Sequence, residues 1–317
     1  MNLRIGSRGS QLALWQANHI AGLLRGQGHS VEIEIIKTTG DRLQEVTFAQ
    51  VGSKGMFTKE IEEALAEGRV DLAVHSLKDL PTELPEPFVL AATPSRVDPR
   101  DVFVSVNHAN LAALPNGSKV GTSSQRRRAQ LKALRPDLIA QEFRGNVDTR
   151  LRKLAEGQVE AILLAAAGLD RLGKTDWVRE RLEPSDFCPA AGQGALGIEA
   201  RKGDHATLDA LAFLDHADTR FAVTAERTAL AALGGGCQVP IGIHCRHEFN
   251  KEETDRWYEI FAVVASPETG EVTRVHLHAP IENTDPQIFG RTAAAMLLDA
   301  GADRLLAGAG EASGGAA

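Results

Sequence analysis

Short apolar segments that alternate with helical patterns recur along the first two thirds of this 317-residue chain. Residues 70–75 and 159–165 are apolar runs typical of strands that are buried on both faces of a sheet. Residues 3–6 and 119–121 are shorter strand-like runs, each followed by a turn of small residues and then by a helical pattern. Strands that alternate with helices in this way predict an α/β fold.

Two segments rich in proline or glycine interrupt the pattern, at residues 93–101 and 189–195. Two such crossovers between two α/β lobes are typical of binding proteins that close about a hinge. We therefore expect four parts, and the chain is long enough for several cores. These parts are lobe 1 at residues 1–95 and 195–215, lobe 2 at 100–190, a smaller C-terminal α/β domain at 218–308, and a disordered tail at 309–317.

The composition excludes several classes of protein. A net charge of −7 argues against bulk nucleic-acid binding, so any anion site must be a local concentration of basic residues. Three cysteines without a C-x-x-C pair indicate neither a disulfide framework nor a zinc ribbon, and reduced thiols fit a cytoplasmic setting. The N-terminus enters a strand pattern at once, without a signal-peptide core, and no apolar run is long enough to span a membrane.

Arginines follow the predicted strands at the points where the strands end. They are Arg8, Arg126, Arg127, Arg144, Arg150 and Arg171. Because the carboxyl ends of strands in such sheets converge on one crevice, these guanidinium groups are expected to line a single cleft. Three consecutive arginines from Arg126 oppose the helix dipole, which favours an anion there over a plain solvated basic face. The pattern predicts an acidic small molecule with several carboxylates as the substrate.

A polar turn, Ser76-Leu77-Lys78-Asp79, follows the buried strand at residues 70–75. Its position at the carboxyl end of a strand makes Asp79 a candidate acid or base. The spacing alone fits an ordinary surface pair of Lys78 and Asp79 equally well. His75, at the end of the strand, is interpreted as a core or rim histidine with its own partner.

One cysteine, Cys237, lies in a loop that begins with three glycines and ends at Pro240. The glycines let the backbone approach a ligand closely, and a thiol at such a loop suits covalent attachment or nucleophilic chemistry. A helix C-cap followed by a half-buried thiol is the alternative. A metal site at His244, Cys245 and His247 is not predicted, because successive strand residues point to opposite faces and His244 does not share the face of the other two.

Taken together and in order, these segments resemble the porphobilinogen deaminase family, also called hydroxymethylbilane synthases. The matching segments are Arg4-Ile5-Gly6-Ser7-Arg8, Leu12-Ala13-Leu14-Trp15-Gln16-Ala17, Gly52-Ser53-Lys54-Gly55-Met56-Phe57, Ala73-Val74-His75-Ser76-Leu77-Lys78-Asp79-Leu80-Pro81, Asp98-Pro99-Arg100-Asp101, Gly121-Thr122-Ser123-Ser124 with Arg126-Arg127, Arg144-Gly145-Asn146-Val147 with Thr149-Arg150, Gly192-Gln193-Gly194, and Gly235-Gly236-Cys237-Gln238-Val239-Pro240. From Cys245 onward the match is only to a general α/β pattern.

The resemblance implies a transferase that joins four porphobilinogen molecules head to tail, with loss of ammonia, into hydroxymethylbilane. The chain would grow on a dipyrromethane cofactor held to Cys237 by a thioether, and water would release the product. Asp79 matches the family's catalytic aspartate, which stabilises a cationic azafulvene and mediates proton transfer.

The resemblance also implies which residues hold the acetate and propionate groups of cofactor and substrate. Those assigned to the cofactor are Lys78, Thr122, Ser123, Ser124, Arg126, Arg127, Arg144 and Arg150. Those assigned to the substrate are Arg8, Ser10, Gln16, Lys54, Arg144, Arg150 and Arg171. The implied fold is two periplasmic-binding-protein-like lobes with mixed, mainly parallel sheets and a smaller C-terminal α/β domain. The implied protein is a cytoplasmic monomer without a metal, nucleic-acid partner or membrane partner.

Three positions depart from the family pattern: Gln11 stands where proline is common, Gln125 where leucine is common, and Asp148 where glycine is common. The first two lie at helix entries and are expected to be tolerated. Asp148 adds a negative charge beside an anion-binding loop and is expected to point away from the ligand.

Two other functions remain open on the residues alone. A non-catalytic anion-binding module would share the hinged lobes but would not need the glycine-cysteine loop. An enzyme that uses Cys237 directly as a nucleophile would need a histidine or aspartate brought to it by folding, and its free thiol would react with iodoacetamide.

Overall fold

The computed structural model describes residues 1–39, 58–235, 239–250 and 255–307. The strands in chain order are β1 (Asn2–Ser7), β2 (Ser30–Ile35), β3 (Leu72–Ser76), β4 (Phe88–Ala92), β5 (Asp101–Val104), β6 (Lys119–Gly121), β7 (Ile139–Gln141), β8 (Ala161–Ala165), β9 (Val178–Leu182), β10 (Leu196–Arg201), β11 (Ile241–Phe249), β12 (Arg256–Ala265) and β13 (Val272–Pro280). The helices used below are α1 (Gln11–Gly26), α2 (Lys59–Ala66), α3 (Gln125–Leu134), α4 (Val147–Ala155), α5 (Ala166–Arg171), α6 (His205–Leu211), α7 (Ala217–Ala232) and α8 (Pro286–Asp299).

The chain forms two compact units. Unit 1 consists of Met1–Val97 and Gly194–Arg220, and unit 2 consists of Asp98–Gln193 and Phe221–Ala317. The boundaries at 97/98 and 193/194 fall within the two segments that the sequence marks as crossovers. The predicted division into three domains and a tail stays a prediction, and residues 308–317 lie outside the described part of the chain.

Unit 1 is built on a five-stranded sheet in the order β2-β1-β3-β10-β4. Strands β1, β2 and β3 are parallel, whereas β10 runs antiparallel to both of its neighbours. Helix α1 buries one apolar face, which includes Ile20 and Leu24, against this sheet. One core of unit 1 therefore lies between α1 and the sheet, with Leu3, Ile5 and Leu72 at most 1% exposed, and a second buried cluster includes Ile61 and Leu65 of α2.

Unit 2 contains a second five-stranded sheet with an equivalent arrangement, in the order β7-β6-β8-β5-β9. Here β5 runs antiparallel to both of its neighbours, and β6 is parallel to β7 and β8. In each sheet the antiparallel strand is the one that follows a crossover, β5 after the first and β10 after the second. The predicted α/β class with mixed, mainly parallel sheets is confirmed.

A third, antiparallel sheet, β11-β12-β13, lies in the C-terminal part of unit 2. Helices α7 and α8 cover one of its faces, and small residues let the two helices approach closely. A Cβ placed on Gly290 of α8 would lie 2.2 Å from the carbonyl oxygen of Ala225 on α7, so only glycine fits at this contact. Asp285 caps α8 by accepting a hydrogen bond from the Ile288 amide at 2.8 Å.

Helix α6 begins at His205, where Asp204 provides the cap, and ends at Leu211, after which the chain forms a 3₁₀ turn. No helix in the described part of the chain is both long enough and apolar enough to cross a membrane.

Candidate functional site

The turn before α3 is held by its own small polar side chains. Ser124 is the N-cap of α3, and its Oγ accepts a hydrogen bond from the Arg127 amide at 3.5 Å. Thr122, which is 1% exposed, accepts one from the Ser124 amide at 3.2 Å. Ser123, between them, is half-buried. The first turn of α3 is thereby fixed, and the direction of the arginines that it carries is fixed with it.

A buried carboxylate, Asp101, lies between the first two of these arginines. Arg126 donates from Nη1 to Asp101 Oδ2 at 2.5 Å, and Arg127 donates from Nη2 to Oδ1 at 2.7 Å. The Nε2 of Gln193 donates to Oδ1 at 2.9 Å. Burial alone would raise the pKa of the Asp101 carboxyl, but the charges of Arg126 and Arg127 outweigh it and hold that pKa well below its usual range.

Backbone carbonyls also accept hydrogen bonds from the same two guanidinium groups. Arg126 donates from Nη1 to the Cys188 carbonyl at 2.7 Å, and Arg127 donates from Nη1 to the Leu163 carbonyl at 3.0 Å. The side chains of Arg126 and Arg127 are only 4% and 7% exposed. The anion that the run of arginines predicts is thus supplied at least in part by the chain's own Asp101.

Arg150, on α4, differs from Arg126 and Arg127 in its partners. Across the ranges that the structure describes, no carboxylate lies within ion-pair distance of its guanidinium group, and its Nε is buried without a hydrogen-bond partner. Burial, reinforced by the nearby charge of Arg127, lowers the pKa of Arg150 to about 10. A cation in this position gains most from an anionic ligand, because the ligand would supply the partner that the protein does not.

Two further predicted arginines lie in unit 2. Arg144 pairs through Nε with Glu142 at 2.6 Å. Arg171 is the last residue of α5 and is 9% exposed, and burial lowers its pKa to about 10. Asp148, the unusual acidic residue of α4, forms an ion pair with Lys174 at 2.9 Å, so its charge is balanced locally.

In unit 1, Asp79 ends a 3₁₀ turn that begins directly after β3. Leu77 and Leu80 on either side are buried, and the Leu77 amide donates to the Ala195 carbonyl at 3.1 Å. The Asp79 side chain is exposed and has no hydrogen-bond or ion-pair partner among the described residues. Lys78, next to it, is half-buried. Buried leucines therefore fix the turn, and its Asp79 carboxylate is not paired with any described residue.

Other predicted residues of unit 1 surround the start of α1 and the end of β3. Ser10 caps α1 by accepting from the Ala13 amide at 3.3 Å, and Arg8 is half-buried just before it. The buried Gln16 donates to Ser76 Oγ at 2.7 Å, which ties α1 to the residue that precedes the Asp79 turn.

His75 also has a partner within unit 1. Its Nε2 lies 3.0 Å from Glu199 Oε2 on β10, and both side chains are buried. This geometry agrees with the interpretation of His75 as a core histidine.

Two predicted residues, Cys237 and Lys54, lie outside the described ranges. The elements that flank the cysteine are described. Gly234, with a φ of 66°, follows α7, and the Gly235 amide donates to the Leu230 carbonyl at 2.9 Å. These two glycines close the end of the helix, as the C-cap interpretation expects.

A buried glutamate of α7 fixes the strand on the far side of the cysteine loop. Glu226 accepts from the Cys245 amide of β11 at 2.7 Å and from the Gly192 amide at 2.6 Å. The sequence analysis assigned no role to Glu226, Asp101 or Gln193, although Asp101 and Gln193 lie in segments that match the porphobilinogen deaminase family. Among the described residues, no group of three histidine, cysteine, aspartate or glutamate side chains is arranged to hold a metal ion.

Comparison with known proteins identifies the family. A model described as "Porphobilinogen deaminase, dipyromethane cofactor binding domain" matches residues 3–209, and one described as "Porphobilinogen deaminase, C-terminal domain" matches residues 220–299. The chain belongs to the porphobilinogen deaminase family. It is therefore an enzyme of porphyrin and haem biosynthesis, a transferase with a dipyrromethane cofactor.

Curated members of the porphobilinogen deaminase family are similar over most of the chain. One, from Methylobacillus flagellatus, is 48% identical over 96% of this chain and 96% of its own length. Another, from Nitratidesulfovibrio vulgaris, is 58% identical over 76% of this chain and 77% of its own.

Among solved structures, the methionine binding protein MetQ aligns over 67% of this chain and 89% of its own, with a TM-score of 0.45 and 12% identity. A TM-score of 0.45 is too low to equate two folds. The strand orders given above define the fold independently of that likeness.

Proposed function

We propose that this chain joins four porphobilinogen molecules head to tail, with loss of one ammonia at each addition, and releases hydroxymethylbilane by hydrolysis. Family membership supports the reaction. The single structural observation that carries the proposal is the buried guanidinium group of Arg150, which has no carboxylate within ion-pair distance among the described residues and lies near the buried Arg127. Each porphobilinogen bears an acetate and a propionate, which are the ligands that such a site binds best.

The donor set of unit 2 fits the carboxylates of a dipyrromethane. Nε of Arg126 and Nε of Arg150 are both buried without a hydrogen-bond partner among the described residues. Buried donors of this kind are rare in folded proteins, and a carboxylate oxygen is a suitable acceptor for them. In the proposal these arginines act with Thr122, Ser123, Ser124, Arg127, Arg144 and Lys78 to hold the cofactor.

The cofactor, when bound through a thioether to Cys237, supplies the primer from which the tetrapyrrole grows. Arg8, Ser10, Gln16, Lys54, Arg144, Arg150 and Arg171 hold the carboxylates of the incoming substrate. Because Gln16 is already engaged by Ser76, its part would require that this hydrogen bond be exchanged or shared.

Asp79 acts on the reacting pyrrole. Loss of ammonia from porphobilinogen leaves a cation, and a carboxylate beside the pyrrole N–H stabilises that charge electrostatically. The same carboxylate accepts the proton that leaves the pyrrole carbon once the new bond has formed. An exposed carboxylate with no partner among the described residues is available for both steps.

The proposal includes the organisation of the chain. Lobe 1 spans residues 1–95 and 195–215, lobe 2 spans 100–190, and the C-terminal domain, which carries the cofactor, spans 218–308. The protein acts as a cytoplasmic monomer on a small-molecule substrate.

A stoichiometric assay tests the reaction. Purified protein is incubated with porphobilinogen, and ammonia and tetrapyrrole are measured in the same samples. We expect four ammonia molecules for each hydroxymethylbilane released. Binding of porphobilinogen without release of ammonia would contradict the proposal and favour an anion-binding module.

A further inference from the structure

Asp98 and Asp101 of unit 2 each lie between two arginines, and the two clusters differ in charge balance. In the first, Asp98 accepts from Arg100 at 2.9 Å and from Arg181 at 2.7 Å. Each of these arginines has a second carboxylate partner, Glu183 at 2.6 Å for Arg100 and Asp170 at 2.9 Å for Arg181. Three carboxylates therefore balance two arginines, and the cluster needs no further anion.

The cluster around Asp101 has the opposite balance. Asp101 is the acidic group paired with both Arg126 and Arg127, and Arg150 adds its charge nearby without an ion-pair partner of its own in the described part of the chain. Asp101 thus serves two guanidinium groups, and the charge of Arg150 acts on Arg127 from nearby, offset in part by Glu142. A buried excess of positive charge is costly unless an anion accompanies it.

The geometry of Asp101 suits a fixed counter-charge. The carboxylate is 0% exposed, and Gln193 holds it from a third side by donating to both Asp101 Oδ1 and the Pro99 carbonyl. Arg127 donates to Oδ1 from Nε at 3.0 Å as well as from Nη2, so the plane of its guanidinium group is set by this one oxygen. Two donors on one oxygen fix direction as well as distance.

We propose that Asp101 is a positioning residue that serves as the permanent counter-anion of the arginine cluster. It allows the protein to fold with Arg126 and Arg127 buried before any ligand is present, and it holds both groups in the orientation in which ligand carboxylates meet them. This inference rests on the proposed function, because it takes those carboxylates to belong to the dipyrromethane and the growing chain. When the cofactor is bound, its carboxylates and Asp101 together balance the positive charge of the arginines.

The test compares the loss of Asp101 with and without the cofactor. Asp101→Asn, which removes the charge and keeps the shape, is made in the cofactor-bearing protein and in a Cys237→Ser background that cannot attach it. Thermal unfolding midpoints are measured for all four proteins. We expect Asp101→Asn to lower the midpoint of the cofactor-free protein by about 6 °C or more, and that of the cofactor-bearing protein by less than half as much.

Asp98→Asn is the matched control, since it removes a carboxylate from between two arginines in the same unit. Arg100 and Arg181 each keep another carboxylate partner, so its effect should be the same with and without the cofactor. Equal losses for Asp101→Asn in the two backgrounds would overturn the proposal, because they would make Asp101 an ordinary structural residue.

If the cofactor-free Asp101→Asn protein does not fold, the intact mass of the single variant decides. The proposal expects the soluble Asp101→Asn protein to carry the cofactor almost completely, because the cofactor-free form is lost. Soluble variant that is mainly cofactor-free would contradict it. A wild-type protein that carries no adduct even after incubation with porphobilinogen would instead contradict the proposed function, and this inference would fall with it.

Discussion

Asp79→Asn is expected to lower turnover of porphobilinogen by a factor of about 10² to 10⁴ while the protein remains folded. The change removes the negative charge that would stabilise the cationic intermediate and the oxygen that would accept the pyrrole proton. The fold should not respond, because the Asp79 side chain is exposed and has no partner among the described residues. Steady-state turnover, with thermal unfolding measured beside it, checks both statements.

Glu83→Gln is the control for Asp79→Asn. Glu83 is an exposed carboxylate four residues further along the chain, so it tests the general effect of removing a charge from this surface. We expect its turnover to stay within about twofold of the wild type, as for most exposed substitutions. Near-normal turnover in Asp79→Asn would remove Asp79 from the mechanism.

Arg150→Met is expected to have opposite effects on function and stability. It should lower kcat/KM for porphobilinogen by a factor of about 10² to 10³, because the buried guanidinium group that we propose to bind a ligand carboxylate is lost. In the cofactor-free Cys237→Ser protein, the same change should leave the unfolding midpoint unchanged or raise it. It removes a buried cation that has no ion-pair partner in the described ranges, and it keeps the apolar stem.

Arg152→Met is the control on the same helix. The Arg152 side chain is 64% exposed and forms an exposed pair with Glu156, which contributes little to stability. We expect kcat/KM and the unfolding midpoint to stay close to those of the wild type. A marked loss of stability in Arg150→Met, with kcat/KM preserved, would show that Arg150 has an internal partner and does not bind the ligand.

The sequence predicts the local structure around the site well, because that structure depends on neighbouring residues. Turns of small residues separate the strand-like runs at residues 3–6 and 119–121 from the helices that follow, as the sequence predicts, and Ser10 and Ser124 of those turns cap α1 and α3. The Asp79 turn follows β3 as the apolar run at residues 70–75 indicates. In each case the signal lies within a few residues of the feature that it predicts.

Partners that are distant in the sequence could not be predicted in the same way. Asp101 meets Arg126 and Gln193 across 25 and 92 positions, and no local pattern relates them. The run of arginines indicates that an anion is needed, but it does not say whether the protein or a ligand provides it. Only the fold shows that Asp101 forms ion pairs with Arg126 and Arg127. Arg150 has no carboxylate partner in the described ranges.

The same limit applies to the strand order. Each five-stranded sheet contains one antiparallel strand, which follows a crossover in the chain. The sequence marks the crossovers, but it does not indicate the direction of the strand that follows. Residues 40–57 and 236–238, which include Lys54 and Cys237, lie outside the described ranges, so their roles rest on the resemblance.

The intact mass of the purified protein, measured beside a Cys237→Ser sample, shows directly whether Cys237 carries a dipyrromethane. We expect the wild type to exceed its chain mass by two linked pyrrole units and the variant to have the bare chain mass. A wild-type protein at the bare chain mass, which porphobilinogen then converts to the heavier form, would be the same enzyme without its cofactor. A bare mass that porphobilinogen leaves unchanged, or an adduct that persists in Cys237→Ser, would contradict the assignment of Cys237 as the point of attachment.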